Sequence, residues 1–168
     1  EILNCIIGPY TSILQSTSIS ECTFKSSKSY PITIKRASEI KKSILLEHCS
    51  AGDTCRVRDV MMFENSSISG GALVEESILG PDSSVGGGEC CHSVVGPHIG
   101  FHHNSLLIST IWPFGRGNLS YGCKVGANHT GRVSDQENHS GEGCFYGLGV
   151  QIKFPSNTLS SPYTLFAS

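Results

Sequence analysis

No stretch of this chain is apolar for anything near the roughly 18 residues that a membrane-spanning helix needs. No charged-then-apolar leader marks a secretory signal either. Charge is scarce: Asp, Glu, Lys and Arg make up 15% of the 168 residues, with net charge −2 and a pI near 6.4. Bulk electrostatics therefore gives no reason to expect nucleic acid or an anionic membrane surface as a partner. No CxxC pair exists among the 8 cysteines, which removes the usual spacing of a structural zinc site. There is no serine nucleophile elbow, P-loop or dinucleotide fingerprint. Gly86-Gly87-Gly88 reads as a flexible corner rather than a phosphate cradle, because no helical pattern follows it.

What the chain has instead is a six-residue lattice. Aliphatic side chains recur at Val95, Phe101, Leu107, Leu119 and Val125, with Pro113 the one miss. Earlier runs are Leu73, Leu79, Val85 and Cys91; Leu45, Ala51, Val57 and Phe63; and Ile7, Ile13 and Ile19. Two positions upstream the residue is small: Cys5, Ser43, Cys49, Cys55, Ser77, Ser83, Ser93, Ser105, Cys123. Six residues make one short strand plus one corner, and three such sides close a triangular coil of about 18 residues. The aliphatic fills the prism. The small residue shares its face, where a larger one would overpack at roughly 1–3 kcal/mol. The string aliphatic-aliphatic-Gly-Pro occurs at Ile6–Pro9, Ile78–Pro81 and Val94–Pro97, and Gly80 lies four 18-residue coils after Gly8. The expected fold is all-β: a parallel β-helix of hexapeptide repeats, one domain over residues 1–168. Cysteines in the small slot act as small hydrophobes, so reduced core thiols and a cytoplasmic setting are expected. Starting at Glu1 and ending while still patterned, the chain reads as a piece of a longer protein.

The lattice breaks in places. Between Ile19 and Leu45 it slips, and the interval holds Lys25, Lys28, Lys35, Arg36, Lys41 and Lys42, half of the basic residues. An irregular, solvated loop over about 24–43 is expected there, or else a basic patch gripping a phosphate. Smaller slips fall between Phe63 and Leu73 and between Cys91 and Val95. Trp112-Pro113-Phe114 interrupts the longest run as either an exposed aromatic corner or a packed loop. Residues 128–143 are almost wholly polar and read as a protruding loop. Leu148, Val150, Ile152 and Phe154 then alternate as a strand with one buried face, in a terminal segment, 144–168, that would cap the open end.

Two clusters carry candidate chemistry. The first is Asn128, His129, Arg132, Asp135, Gln136 and Glu137, with His139 nearby. An imidazole can serve as general base near neutral pH, and a guanidinium can clamp a phosphate or carboxylate. The same polar residues can equally serve the turns of their own loop. The second is His98, His102, His103 and Asn104 at a corner, where His103 would be a base in a cleft between prisms.

The repeat over residues 5–125 resembles the hexapeptide-repeat transferases, which include sugar-nucleotide acyltransferases and the β-helical domains of sugar nucleotidyltransferases. The string Gly126-Ala127-Asn128-His129-Thr130-Gly131-Arg132, with Asp135-Gln136-Glu137 and Ile152-Lys153-Phe154-Pro155, looks like an uncharacterised bacterial family of β-helix proteins similar to nucleotidyltransferases. The His-centred motif of the lipid A acyltransferases is not intact. The resemblance implies a left-handed coil, a homotrimer with clefts between prisms, and acyl transfer from acetyl-CoA or acyl carrier protein to a nucleotide sugar or related acceptor. His129 or His103 would be the base, with Asn128, Arg132, Asp135, Gln136, Glu137 and His102 at the substrate. No tightly bound cofactor or metal is implied. A non-catalytic trimerising β-helix is the alternative, and an interfacial metal enzyme like the β-helical carbonic anhydrases is a third.

Overall fold

The computed structural model describes residues 1–167. They wind as a parallel β-solenoid of about 17 residues per turn, and the strands align into three nine-stranded parallel sheets. Sheet A stacks Ile19, Ile40, Val57, Val74, Cys90, Leu107 and Val125 inward. Sheet B stacks Phe24, Leu45, Met62, Leu79, Val95 and Trp112. Sheet C stacks Ile34, Ala51, Ile68, Val85, Phe101, Leu119 and Tyr146. All of these are buried and form one continuous core. The hexad lattice was therefore the right idea with a slightly long period. The step from sheet A to sheet B takes five residues, as from Val57 to Met62, and the other two sides mostly take six, with Val85 to Cys90 a further step of five.

These five-residue steps explain the misreadings. Met62, Val74 and Cys90 point inward, not Phe63, Leu73 and Cys91. Trp112, fully buried, takes the slot assigned to Pro113. Its Nε1 donates to the Gly141 carbonyl at 2.8 Å, and it meets Tyr146 edge-on with ring centroids 5.5 Å apart. On the next coil the matching place falls to Ser140, whose hydroxyl bonds the Tyr146 hydroxyl at 2.8 Å. A small residue there makes room for two large rings. Only Phe114 of that triplet is an exposed aromatic.

The upstream slot is small for a second reason besides space. The backbone N–H just past the A–B corner has no sheet partner, and a hydroxyl supplies one. Ser43 accepts from Val60 N at 3.2 Å, Ser77 from Ser93 N at 3.1 Å and Ser93 from Thr110 N at 3.1 Å. Each hydroxyl in turn donates to the carbonyl two residues before it. Donor and acceptor are both satisfied inside the prism, as buried polar groups must be. Cys22 fills the same slot, Cys55 and Cys123 its counterpart on sheet A, and Cys90 the large inward position itself. All 8 are free thiols, and burial pushes Cys22 and Cys55 up to about 11 and Cys90 and Cys123 up to about 12.

The stretch 24–43, expected as a loop, holds the strands Ile32–Lys35 and Glu39–Lys41. The chain leaves the coil only over 25–31, which lengthens that turn. The four coils from Gly8 to Gly80 are thus three turns of 17 and one of 21, not four of 18. The basic residues do not form one patch. Lys41 stands on sheet A, Lys35 on sheet C and Lys42 at the corner between A and B. The polar segment 128–143 rejoins the coil early, since Asn138–His139 is a strand of sheet B. Residues 144–167 continue the winding through all three sheets. Val150 is buried and Ile152 half-buried, whereas Leu148 and Phe154 are exposed at the flanking corners.

Candidate functional site

The A–B corner is built from a single residue in the left-handed region on each coil: Glu21, Lys42, Asp59, Glu76, His92 and Ser109, with φ from 46° to 57°. A non-glycine residue there costs roughly 1–2 kcal/mol. The corner is held because each N–H donates to a carbonyl of the preceding coil, as in Glu76 to Arg58 at 3.0 Å, His92 to Glu75 at 3.1 Å and Ser109 to Cys91 at 3.1 Å. The side chains consequently project outward in a ladder. One pair in the ladder comes within ion-pair distance: His92 Nε2 lies 3.1 Å from Glu76 Oε2.

Beside this ladder runs the outer face of sheet B. Ile44, Met61, Ile78, Val94 and Ile111 stand on it in register. Ile78 and Ile44 are 37% and 43% exposed. Ladder and stripe enclose a groove of about 610 Å³. At its far end the chain leaves sheet A after Val125, makes a short 3-10 turn over Val133–Asp135, and returns in sheet B. This loop lies over Ser109 and Ile111, enclosing a small cavity of about 170 Å³.

The sequence-predicted histidines do not come together at one site. His129 sits exposed on the A–B loop, and His102 and His103 sit exposed at the C–A corner, on a different edge of the prism. His103 lies over Gly87, where a Cβ would come within 2.9 Å of its ring nitrogen. Asn104 donates to the Tyr121 hydroxyl at 3.1 Å. Asn128 is occupied within the loop: its Nδ2 donates to the Asp135 carbonyl at 2.5 Å, and its Oδ1 accepts from Thr130 N at 3.0 Å. Buried Gln136 gives its carbonyl to Asn138 Nδ2 at 2.6 Å. Arg132 precedes the 3-10 turn and is exposed. Of the predicted residues, Glu137 is the one brought to an imidazole, with Oε1 3.0 Å from His139 Nε2. These two, with Ser134, line a second cleft of about 290 Å³ beside Ser156 and Asn157.

The sequence reading missed Glu76, His92, Ser109 and the outer stripe. A signal for the stripe was present: the paired aliphatics Ile44-Leu45, Met61-Met62, Ile78-Leu79 and Val94-Val95 place one side chain in and one out. Among the described residues no three His, Cys, Asp or Glu side chains gather to hold a metal ion, and no helix is long and apolar enough to cross a membrane.

Comparison with known families finds one described as Domain of unknown function (DUF4954), matching residues 1–139. The chain belongs to this family. The matched span takes in the sheet B stripe, the corner ladder, the loop and His139, so the groove and its end lie within the family's domain. No curated protein matches the chain.

Proposed function

We propose that the protein is a self-associating β-solenoid of the hexapeptide-repeat transferase kind, with sheet B packed against another copy of the chain. The observation that carries this reading is the stripe of Ile44, Met61, Ile78, Val94 and Ile111, in register over consecutive coils. Contiguous exposed apolar surface of this kind marks interaction sites, and its edge carries both signs, Lys42 beside Asp59 and Glu76. A repetitive stripe suits a repetitive partner, and a second copy offers the same spacing. A homotrimer is the assembly that the family resemblance implies. The 18.0 kDa chain is expected to elute at a multiple of its mass in light scattering, and Ile78→Lys to return it to one chain. A wild type that stays at one chain at every concentration overturns the reading.

A second reading adds catalysis at the end of the stripe. The His139–Glu137 pair supports acyl transfer, with His139 as general base in place of His129 or His103. The carboxylate fixes one ring nitrogen and leaves the other to take the acceptor's proton. Acetyl-CoA or acyl carrier protein would be the donor, and a nucleotide sugar or similar molecule the acceptor. Calorimetry with acetyl-CoA and with nucleotide sugars tests it. Binding of either that is lost in His139→Ala supports this reading, and no binding of both removes it.

A further inference from the structure

Ser109 Oγ is the one buried side-chain oxygen or nitrogen among the described residues that has no hydrogen-bond partner. The residue is 6% exposed, stands at φ 50°, and lines the cavity of about 170 Å³ beneath the loop. Ser43, Ser77 and Ser93, inside sheet B, each both donate and accept. An orphaned hydroxyl in such a fold calls for an explanation. Its neighbours on the ladder supply one. Glu75, Cys91 and Ile108 are register partners on consecutive coils, so Glu76, His92 and Ser109, the residues that follow them, stack at one corner in that order. The Glu76 carboxylate lies 3.1 Å from His92 Nε2, within ion-pair distance, and His92 lines the same cavity as Ser109.

We propose that Ser109, His92 and Glu76 form a nucleophile, base and positioning carboxylate that hydrolyse a short-chain acyl ester. The arrangement shares Ile111 and Glu76 with the stripe and its edge, and Glu137 with the His139 pair, but its nucleophile and base, Ser109 and His92, belong neither to the stripe nor to that pair. Glu76 accepts the Nε2 proton of His92, which leaves Nδ1 as the basic nitrogen. Ser109 Oγ attacks the ester carbonyl carbon, and its proton passes to Nδ1. The carbon–oxygen bond to the alcohol breaks, and Nδ1 returns the proton to the departing alkoxide. Water then attacks the acyl-serine by the same route, releasing the acid and restoring the hydroxyl. Ile111 and Val133 give the cavity an apolar wall for the acyl chain, and Ser134 adds a hydroxyl donor. A volume of about 170 Å³ suits an acetyl or propionyl group, not a lipid chain. Glu137, facing the same space, disfavours an anionic substrate. These residues stand on three consecutive coils, 33 residues from first to last, which is why no local nucleophile motif announces them.

The test is labelling of the whole chain with a fluorophosphonate, located by peptide mass spectrometry, together with turnover of p-nitrophenyl acetate. The expected adduct is on Ser109. Ser109→Ala should abolish it and lower turnover on the order of 10²-fold or more, with thermal stability held or raised because an unsatisfied hydroxyl is gone. His92→Gln should lower turnover comparably, and His48→Ala, at another corner, should not. Glu76→Gln should lower kcat with KM little changed, and Glu76→Asp should restore part of kcat. A purely structural glutamate would change stability without lowering kcat of the folded protein. No adduct on folded wild type, an adduct on another residue, or equal turnover by Ser109→Ala overturns the proposal.

Discussion

Sheets B and C have equivalent interiors and opposite exteriors. Inside, each stacks one large apolar side chain per coil, Met62, Leu79, Val95 and Trp112 on one and Ile68, Val85, Phe101 and Leu119 on the other, all buried. Outside, sheet B carries Ile44, Met61, Ile78, Val94 and Ile111, whereas the same row on sheet C carries Ser50, Ser67, Ser84, Gly100 and Asn118. The inner rows close the coil. The outer rows take no part in closing it, so their difference belongs to what the molecule meets.

If the interior treats the sheets alike, truncation inside either should cost the same. Trp112→Ala on sheet B and Phe101→Ala on sheet C are each expected to lose about 3–5 kcal/mol in denaturant unfolding, with Trp112 at the upper end because Gly141 also loses its donor. A cost confined to one of them would break the equivalence.

The buried thiols test the interior by pH. Cys22 faces in from sheet B, and Cys55, Cys90 and Cys123 from sheet A, with thiols pushed up to between about 11 and about 12 by desolvation. A thiol raised in the folded state contributes stability that is whole below its unfolded value, near 9, and is lost as pH rises toward the folded value. Stability should therefore fall between pH 9 and 12, and iodoacetamide at neutral pH should modify half-exposed Cys5 before the others. Rapid alkylation of Cys90 in the folded protein would contradict that interior.

Gly96 sharpens the packing of the corners. A Cβ there would lie 2.5 Å from the Pro113 carbonyl oxygen, so Gly96→Ala is expected to destabilise by about 1–3 kcal/mol. The smallest effect is expected at the loop. His129→Ala, on an exposed residue, should change thermal stability by less than about 0.5 kcal/mol and should leave any acetyl-CoA binding unchanged.

The fold was legible because an inward slot tolerates few residue types, so Leu79, Val85, Val95 and Phe101 could be placed from spacing alone. Registers were less legible. In Met61-Met62, Leu73-Val74 and Cys90-Cys91 either residue satisfies hydrophobicity, and only the lengths of the preceding corners decide which one enters. The site was barely legible. Asn128 and Gln136 look like ligand groups in sequence, yet the loop consumes their hydrogen bonds. Glu76, His92 and Ser109 look unrelated until the coil stacks them. Juxtaposition across turns depends on the sum of all corner lengths between residues, and here one turn, Val74 to Cys90, is 16 residues while the next, Cys90 to Leu107, is 17.

The outer contrast is tested most directly by sedimentation velocity on wild type, Ile78→Lys and Ser84→Lys, which place the same charge on adjacent faces of nearly the same coil. The account predicts an assembly for wild type and Ser84→Lys and a single 18.0 kDa chain for Ile78→Lys, with all three equally stable to within about 0.5 kcal/mol of one another per chain. A single chain in all three, or dissociation by Ser84→Lys while Ile78→Lys stays assembled, would contradict it.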